Sequence, residues 1–218
     1  MAWHLSDDVS MAVAGGDLIF LDVAQDAYLC LPGGARTVRR DVCGLTIEDH
    51  DLALELAQAG LVEARTGARI AQRPAPTPEF DLGALAVPQA TRRERLAFGG
   101  TIFRMRRRYH GKSLSQLVGF ARARGEGMTR YSGRAPAEAL IRRAAVFDRL
   151  LPWAPRQEAC LFRSFMLLSF LREQAQDANW VFGVRTRPFE AHCWVQAGPV
   201  VLNDSLDHVR NFVPIMVT

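Results

Sequence analysis

The sequence predicts an α+β fold: a small three-stranded antiparallel sheet with helices, then a helix-rich region that ends in a second small antiparallel sheet. Short apolar runs between turn residues fill the first part of the chain, which is typical of hairpin strands. Apolar residues then recur at helical spacing, and strand patterns return only near Trp180. A proline-rich stretch divides the two parts, so we expect domains at residues 1–72 and 90–218 joined by a linker at 73–89.

Three strands are expected at the start of the first domain. Gly15-Gly16 predicts a hairpin turn after the first strand. The runs Leu18–Leu21 and Tyr28–Leu31 are the second and third strands, and Pro32-Gly33-Gly34 ends the third.

Helices are expected to follow these strands. Thr46 is predicted as an N-cap, with Asp49 in the first turn. Leu52, Leu56 and Ala59 form an apolar stripe, and Gly60 is a natural stop.

The second domain is expected to open with four helices and close with three strands, because its apolar spacing changes from helical to alternating. Pro136 suits a helix start, and Pro152 and Pro155 suit a helix end. The helices are predicted at Arg92–Tyr109, from a cap at Ser113 through Phe120, from Pro136 through Leu150, and from near Arg156 through Leu171; the strands are predicted at Trp180–Arg185, Ala191–Gln196 and Val200–Leu202.

Composition places the chain among ordinary globular proteins. It has 218 residues, 49% hydrophobic and 23% charged. No run of 18 apolar residues occurs, so no membrane span is expected. The first ten residues carry no basic region or long apolar stretch, so we expect no signal peptide and a cytoplasmic location. The cysteines are expected to be thiols, since they form no close pairs: Cys30, Cys43, Cys160 and Cys193.

Positive charge is concentrated at residues 91–108, where seven arginines face one acidic residue, Glu94. A solvated helix face is the common meaning of such a pattern. An acidic partner or nucleic acid is the alternative, and it predicts steep salt dependence of binding.

A thiol, an imidazole and a carboxylate occur in the order of a cysteine-hydrolase triad: Cys160, His192 and Asp204. Cys160 falls near the start of a predicted helix, where the partial positive charge favours the thiolate. His192 lies in a predicted strand, and Asp204 ends the next, so an antiparallel pair would bring them together. Gln157, one turn before the cysteine, is a candidate donor to the oxyanion.

Each member also has an ordinary structural explanation. Cys160 could be a small core side chain, His192 a hydrogen-bonded strand residue, and Asp204 part of a turn. Asp207 is a rival carboxylate, ranked lower because it lies outside the strand. A metal site of Cys160, His192 and His208 is disfavoured because no short ligand spacing is present, so no metal is expected.

Strand alternation distinguishes the two C-terminal cysteines. His192 and Trp194 share one face of their strand, while Cys193 and Val195 share the other. If His192 faces Cys160, then Cys193 should point away from the site.

The strings around the triad resemble the leader peptidase of lasso peptide biosynthesis, the B protein family, within the transglutaminase-like, papain-related hydrolases. They read ACLFRSFMLLSFL, WVFGVRTRPFEAHCWVQ and VLND. The resemblance as a whole covers roughly residues 90–218. Cys193 departs from the pattern, because the family usually has alanine there. The resemblance implies that Cys160 is the nucleophile, His192 the general base and acid, and Asp204 the orienting carboxylate.

The first domain resembles the RiPP recognition element, a winged-helix-like domain that binds a leader peptide as an added strand. The resemblance implies that the leader pairs with the edge of the third strand, against the last helix. The residues implied are Tyr28, Leu29, Cys30 and Leu31 on the strand and Leu52 and Leu56 on the helix.

Together these resemblances predict a cysteine peptidase that cuts the leader from a lasso precursor peptide, whose core a separate ATP-dependent, asparagine-synthetase-like cyclase then closes. No phosphate-binding loop is recognisable, so no cofactor is expected in this chain. Neither nucleic acid nor a membrane span is expected among its partners. The alternatives are an acyl transferase with the same triad, and a catalytically silent scaffold that delivers the precursor.

Overall fold

A computed structural model describes residues 2–41, 44–65, 75–83, 89–125, 138–154, 159–174, 176 and 178–218. Within them lie three β-sheets and six α-helices, which confirms the predicted mixture of helices and antiparallel strands. None of the described helices is both long enough and apolar enough to cross a bilayer.

The N-terminal part forms two sheets and one α-helix in the described portion of residues 2–65. Its three-stranded sheet has the order β2-β3-β4, and its four-stranded sheet has the order β5-β6-β1-β7. The elements are β1 (Ala2–Leu5), β2 (Val9–Ala14), β3 (Asp17–Asp22), β4 (Ala27–Leu31), β5 (Val38–Asp41), β6 (Gly44–Ile47), α1 (His50–Gln58) and β7 (Val62–Arg65). The sequence predicted the first of these sheets but not the second, and it predicted more than one helix.

The β2–β3 hairpin turns at the predicted glycines. Gly15 and Gly16 have φ angles of 59° and 88°, and Ala14 pairs with Asp17, so the loop has two residues. Positive φ at both positions matches the twist of the strands and favours glycine.

Asp49, not Thr46, caps helix α1, so the predicted cap is wrong. Asp49 has extended backbone angles, and its carboxylate accepts hydrogen bonds from the N–H groups of Asp51 and Leu52 at 2.9 and 3.2 Å. Thr46 instead lies in β6, paired with Arg39 of β5. The predicted stop holds, since Gly60 has a φ of 73° just after the helix.

From Arg92 onward the C-terminal part has the predicted order of helices before strands, but a short strand at Phe80–Asp81 precedes them within the stretch predicted as a linker. Its sheet has the order β12-β9-β10-β11-β8, with β8 parallel to β11 and the other pairs antiparallel. The elements are β8 (Phe80–Asp81), α2 (Arg92–Arg108), α3 (Leu114–Gly125), α4 (Glu138–Leu150), α5 (Cys160–Arg172), β9 (Asn179–Arg185), β10 (Glu190–Ala197), β11 (Val200–Val201), α6 (Leu206–Val209) and β12 (Val213–Val217). Strands β8 and β12 and helix α6 were not predicted; Pro136, Pro155 and Arg156 lie outside the described residues.

Helix α5 occupies the centre of this part. Its apolar residues from Phe165 through Leu168, with Phe170 and Leu171, are fully buried, so it is apolar on all sides. It packs against β10 on one side and against α2 and α4 on others. The first residue of this fixed helix is Cys160.

Helix α2 carries the arginine-rich segment. Thr91 and Glu94 form a capping box at its start. Arg104 and Arg108 both donate to Glu173, with distances of 2.6 Å from Arg104 Nε and from Arg108 Nη1. At least these two arginines therefore serve the packing of α2 on the end of α5.

Strand β3 is buried on both faces, because its sheet lies between two hydrophobic clusters. Leu18 and Phe20 pack into the N-terminal cluster. Ile19 and Leu21 pack into the cluster that contains α5 and the C-terminal sheet. Burial of such a side chain contributes about 1.5–3 kcal/mol. This explains why the strand is a continuous apolar run rather than an alternating one.

The turn between β9 and β10, residues 186–189, also joins the two parts. Thr186 Oγ1 donates to the Ala14 carbonyl at 3.2 Å, and the Arg187 guanidinium lies 3.7 Å from the Asp17 carboxylate. A Cβ on Gly15 would lie 2.7 Å from Thr186 Oγ1, so only glycine allows this approach. Two strands of the N-terminal sheet therefore contact the turn that leads into β10.

Candidate active site

Cys160 is the first residue of α5 and is half-buried. The N-cap residue, Ala159, has no side chain that can satisfy the free N–H groups of the first turn. A negative charge on the Cys160 sulfur is therefore stabilised by the partial positive charge of the helix start.

The thiol of Cys160 is held in a network that favours its ionised form. A hydrogen bond from the Cys193 thiol has the largest effect, and one from His192 follows. Burial opposes both, while the Cys193 backbone N–H and the charge of His192 add to them. Together they lower the pKa of Cys160 to about 4. The sulfur is thus a thiolate at neutral pH.

His192 lies between Cys160 and Asp204. Its Nε2 donates to Asp204 Oδ2 at 2.5 Å, which leaves Nδ1 for the hydrogen bond with Cys160. Burial alone would lower the pKa of His192, but the carboxylate and the thiolate on either side raise it to about 9. The structure thus brings together all three residues that the sequence singled out, as a thiolate–imidazolium pair with a carboxylate behind it.

Asp204 accepts three hydrogen bonds that hold it ionised. Besides His192, the Ser205 N–H donates at 2.8 Å and His208 Nδ1 donates at 3.0 Å. Burial would raise the pKa of Asp204, yet these donors lower it. The side chain lies beyond β11, just before Ser205 caps α6. The rival carboxylate, Asp207, is exposed on α6.

The imidazole of His192 rests among aromatic rings that the sequence did not point out. Trp194 stacks at 6.0 Å, Phe212 lies at 5.1 Å and His208 at 4.7 Å between ring centroids. The Trp194 contact follows from strand alternation. Asp204 and His208 are four residues apart across a short helix start, a spacing that could have indicated their contact.

The expectation that Cys193 points away from Cys160 is wrong. Strand alternation itself holds, since His192 and Trp194 share a face while Cys193 packs on the other with α5. However, Cys160 is the first residue of α5, and side chains from both faces of β10, His192 and Cys193, hydrogen-bond to its sulfur. Ser164 links the two cysteines, with its Oγ donating to the Cys160 carbonyl at 2.7 Å and lying 3.2 Å from Cys193 Sγ.

Tyr28, from the N-terminal sheet, lies beside this site. Its ring meets that of Phe189 edge-on at 5.6 Å, three residues before His192. Burial raises the pKa of Tyr28, and charge on Cys193, Asp26 and Cys160 raises it further. Tyr109 at the end of α2 also has a pKa raised by burial, then by Cys193 and Cys160. Two phenols therefore lie within electrostatic range of the cysteines.

The other residues with predicted roles are more dispersed. Gln157, the candidate oxyanion donor, lies outside the described residues. Leu29 and Cys30 are exposed on β4, the edge strand of its sheet, and Leu31 is half-buried. Leu52 is half-buried and Leu56 is 4% exposed, and both pack in the same cluster as Leu31. Tyr28 packs instead with the cluster that contains α5.

A cation could be considered at His192, Asp204 and His208, whose candidate ligand atoms all lie within 4.8 Å of one another. The contacts of 2.5 and 3.0 Å to Asp204 are hydrogen-bond distances. An ion would have to replace both hydrogen bonds, so the present arrangement fits a proton better than a metal.

A thiolate at a helix start, an imidazolium on a strand and a carboxylate behind it define a cysteine-hydrolase-like site. The family model for the transglutaminase-like superfamily, Transglut_core3, matches residues 102–217, more than half of the chain. The chain therefore belongs to the transglutaminase-like superfamily, which confirms that part of the predicted fold.

One curated relative is similar to a short segment of the chain. The microcin J25-processing protein McjB of Escherichia coli is 46% identical to the chain over 46 residues. That segment is 21% of this chain and 22% of McjB, so the match spans about a fifth of the relative's length. It supports a likeness to the B proteins of lasso peptide biosynthesis. No solved structure matches the chain.

Proposed function

We propose that this protein is a cysteine peptidase that recognises the leader of a ribosomally made lasso precursor peptide and cuts it from the core peptide. The observation that supports this most is the hydrogen-bonded chain from Cys160 through His192 to Asp204. The partial likeness to McjB supports the class of substrate.

In the proposed mechanism the Cys160 thiolate attacks the carbonyl carbon of the scissile amide. The negative charge that develops on the oxygen is held by N–H groups at the start of α5, and the Gln157 side chain is the proposed further donor. His192 gives its proton to the leaving amine, which becomes the α-amine of the core peptide. The leader remains on Cys160 as a thioester.

Water then hydrolyses the thioester, with His192 now accepting the proton. Asp204 keeps Nε2 of the imidazole protonated, so Nδ1 is the atom that exchanges a proton with the substrate. Fixing the tautomer and stabilising the imidazolium are the proposed roles of this carboxylate.

Recognition of the leader is proposed for residues 1–72, with residues 90–218 as the peptidase. Residues 73–89 are the proposed linker, although Phe80–Asp81 within it pairs as β8 with the C-terminal sheet. Among the strands that the structure describes, β4 pairs with β3 and forms an edge of its sheet, to which an extended peptide can add as a further strand. Leu29 is 42% exposed on this edge, and Cys30 is exposed beside it. Leu31 and Leu52 complete the proposed apolar contact, while the buried Leu56 supports it from within the cluster.

Tyr28 gives the proposed leader strand a direction. It stands at the start of β4 next to Phe189, whereas Leu31 stands at the far end. Five residues of strand span about 17 Å. We propose that the peptide leaves the edge at Tyr28 and enters the site of Cys160, so the spacing between leader contact and cut is fixed by the protein.

A precursor peptide from the same genome tests the function. Incubation with the full chain, with and without its cyclase and ATP, should release the leader as a separate mass. Release should cease with Cys160→Ala. Unchanged cleavage by that variant would overturn the mechanism. A product joined to an added amine would favour the acyl transferase, and binding without any turnover would favour the delivery scaffold.

A further inference from the structure

The mechanism uses Cys160 as its nucleophile, whereas Cys193 only donates a hydrogen bond to the Cys160 sulfur. Cys193 is 3% exposed, and its thiol hydrogen-bonds to the sulfur of Cys160. Its pKa is raised well above the usual range by burial and then by contact with the Cys160 thiolate. It is therefore a protonated thiol held against a thiolate.

The surroundings keep the two sulfurs together. Ser164 bonds to the Cys160 carbonyl and lies 3.2 Å from Cys193 Sγ, and Trp180 Nε1 donates to Ser164 Oγ at 2.8 Å. Trp180 and Ser164 are themselves buried. Neither cysteine can leave the other without disturbing this packed network.

Access to solvent differs between the two thiols. Cys160 is half-buried at the helix tip, while Cys193 is covered by α5. A small oxidant will meet the Cys160 sulfur first. A low-pKa, partly accessible cysteine next to a second thiol is the arrangement found in cysteines that oxidise reversibly.

We propose that Cys160 and Cys193 form a reversible disulfide when the protein meets a peroxide, and that this bond stops catalysis while protecting the nucleophile. The proposal rests on the nucleophilic role of Cys160 given above. It adds a modification site that the hydrolytic mechanism does not require.

The steps balance with hydrogen peroxide as the oxidant. The Cys160 thiolate takes one oxygen and hydroxide leaves, which gives the sulfenic acid. The Cys193 sulfur then attacks the Cys160 sulfur, the S–O bond breaks, and the thiol proton and the hydroxyl leave together as water. His192, beside Cys160, is positioned to carry that proton. Two electrons pass from the cysteine pair to the peroxide, and a dithiol such as dithiothreitol returns them.

The test compares the full chain with two variants at Cys193. Each protein is treated with a small excess of hydrogen peroxide, and the intact mass and the peptides that carry Cys160 are measured before and after dithiothreitol. We expect the native protein to lose about 2 Da, to link Cys160 with Cys193, and to recover its thiols. Cys193→Ser keeps a hydrogen-bond donor but cannot form the bond, and Cys193→Ala removes both. In these variants Cys160 should gain about 32 or 48 Da, which dithiothreitol does not reverse.

Cys43→Ala is the matched control, and it should form the same disulfide as the native chain. A native protein that gains oxygen at Cys160 as fast as Cys193→Ser, or links Cys160 to Cys30 or Cys43, would overturn the proposal. Alkylation by iodoacetamide at pH 6, applied to the untreated native protein and to Cys193→Ser, separates a failure of the disulfide proposal from a failure of the proposed function. If Cys160 reacts no faster than Cys30, the nucleophile itself is wrong; if it reacts faster but no disulfide forms, only the redox pair is.

Discussion

The two faces of strand β10 are chemically opposite, although their residues alternate one by one. His192 and Trp194 lie on a face with Phe212 and the half-exposed His208, where polar groups meet solvent. Cys193 and Val195 lie on the face that packs against α5 in the apolar core. Cys160, at the start of α5, interacts with both faces: with the His192 base of one and with the Cys193 thiol of the other. A site at the start of a helix can therefore use side chains from both faces of a neighbouring strand.

The largest effect is expected from removing His192, the proposed base. His192→Ala leaves Cys160 without its proton partner, so leader release should fall by roughly 10⁴-fold or more. The rate is measured by mass spectrometry at pH 7. His50→Ala, an exposed histidine on α1, is the control and should cut normally. Equal losses in both variants would contradict the role of His192.

Asp204→Asn tests the support behind that base. The amide removes the negative charge that raises the pKa of His192 and no longer fixes its tautomer. We expect a loss of roughly 10²- to 10⁴-fold at neutral pH. Asp207→Asn, on the neighbouring helix, should have little effect. If Asp207→Asn costs more than Asp204→Asn, the choice of carboxylate is wrong.

The pH dependence of cleavage should reflect the titration of both Cys160 and His192. As pH falls through about 4 the Cys160 thiolate gains a proton and the nucleophile is lost. As pH rises through about 9 the His192 imidazolium loses its proton and the leaving amine is no longer protonated. The rate should be flat between these limits and fall about tenfold per pH unit outside them. A single limb centred near pH 8.5 would instead indicate an ordinary thiol.

Cys193→Ala should shift only the acid limb of this profile, the fall in rate that accompanies protonation of Cys160. Loss of the thiol donor destabilises the Cys160 thiolate, so the limb should move up by about one pH unit. Cleavage near pH 4 then falls several-fold, while the rate at pH 7 changes little. Val195→Ala removes apolar bulk from the same face and should leave the limb in place. A shift of similar size in Val195→Ala would mean that packing, not the thiol, sets the pKa.

The smallest effect is expected from His208→Ala. It removes one of three donors to Asp204 at a position whose side chain is 44% exposed, so the loss should be about twofold to fivefold. His208→Gln, which retains a donor, should recover most of the rate. No rescue by glutamine would leave His208 without a positioning role.

The sequence could single out the three residues that the structure brings together, Cys160, His192 and Asp204, because their surroundings are short, distinctive strings. Cys160 precedes a long apolar helix, and His192 lies in an alternating strand. The contact of Cys193 with Cys160 was not predictable, because strand alternation puts His192 and Cys193 on opposite faces and does not show that the first residue of α5 meets both. Long-range packing supplied that information.

The N-terminal part shows the same division between local and distant signals. The Gly15-Gly16 hairpin was read correctly, since its turn chemistry is local. The sheet β5-β6-β1-β7 was missed because it pairs strands of four residues across sixty positions of chain. Thr46 was mistaken for a cap because it precedes an apolar stripe, yet its strand pairing with Arg39 decided its conformation. Sequence alone does not identify the N-cap of a helix when two suitable residues, here Thr46 and Asp49, lie within one turn of each other.

Because β3 is buried on both faces, the N-terminal part is difficult to exchange between proteins. An exchange succeeds only if the surfaces that it newly exposes on both pieces are polar. Here, separation near residue 72 would expose Ile19 and Leu21 on one piece and the apolar groups they cover on the other. The two parts should therefore melt in one transition, and a chimera would have to inherit the 186–189 turn together with the sheet that rests on it.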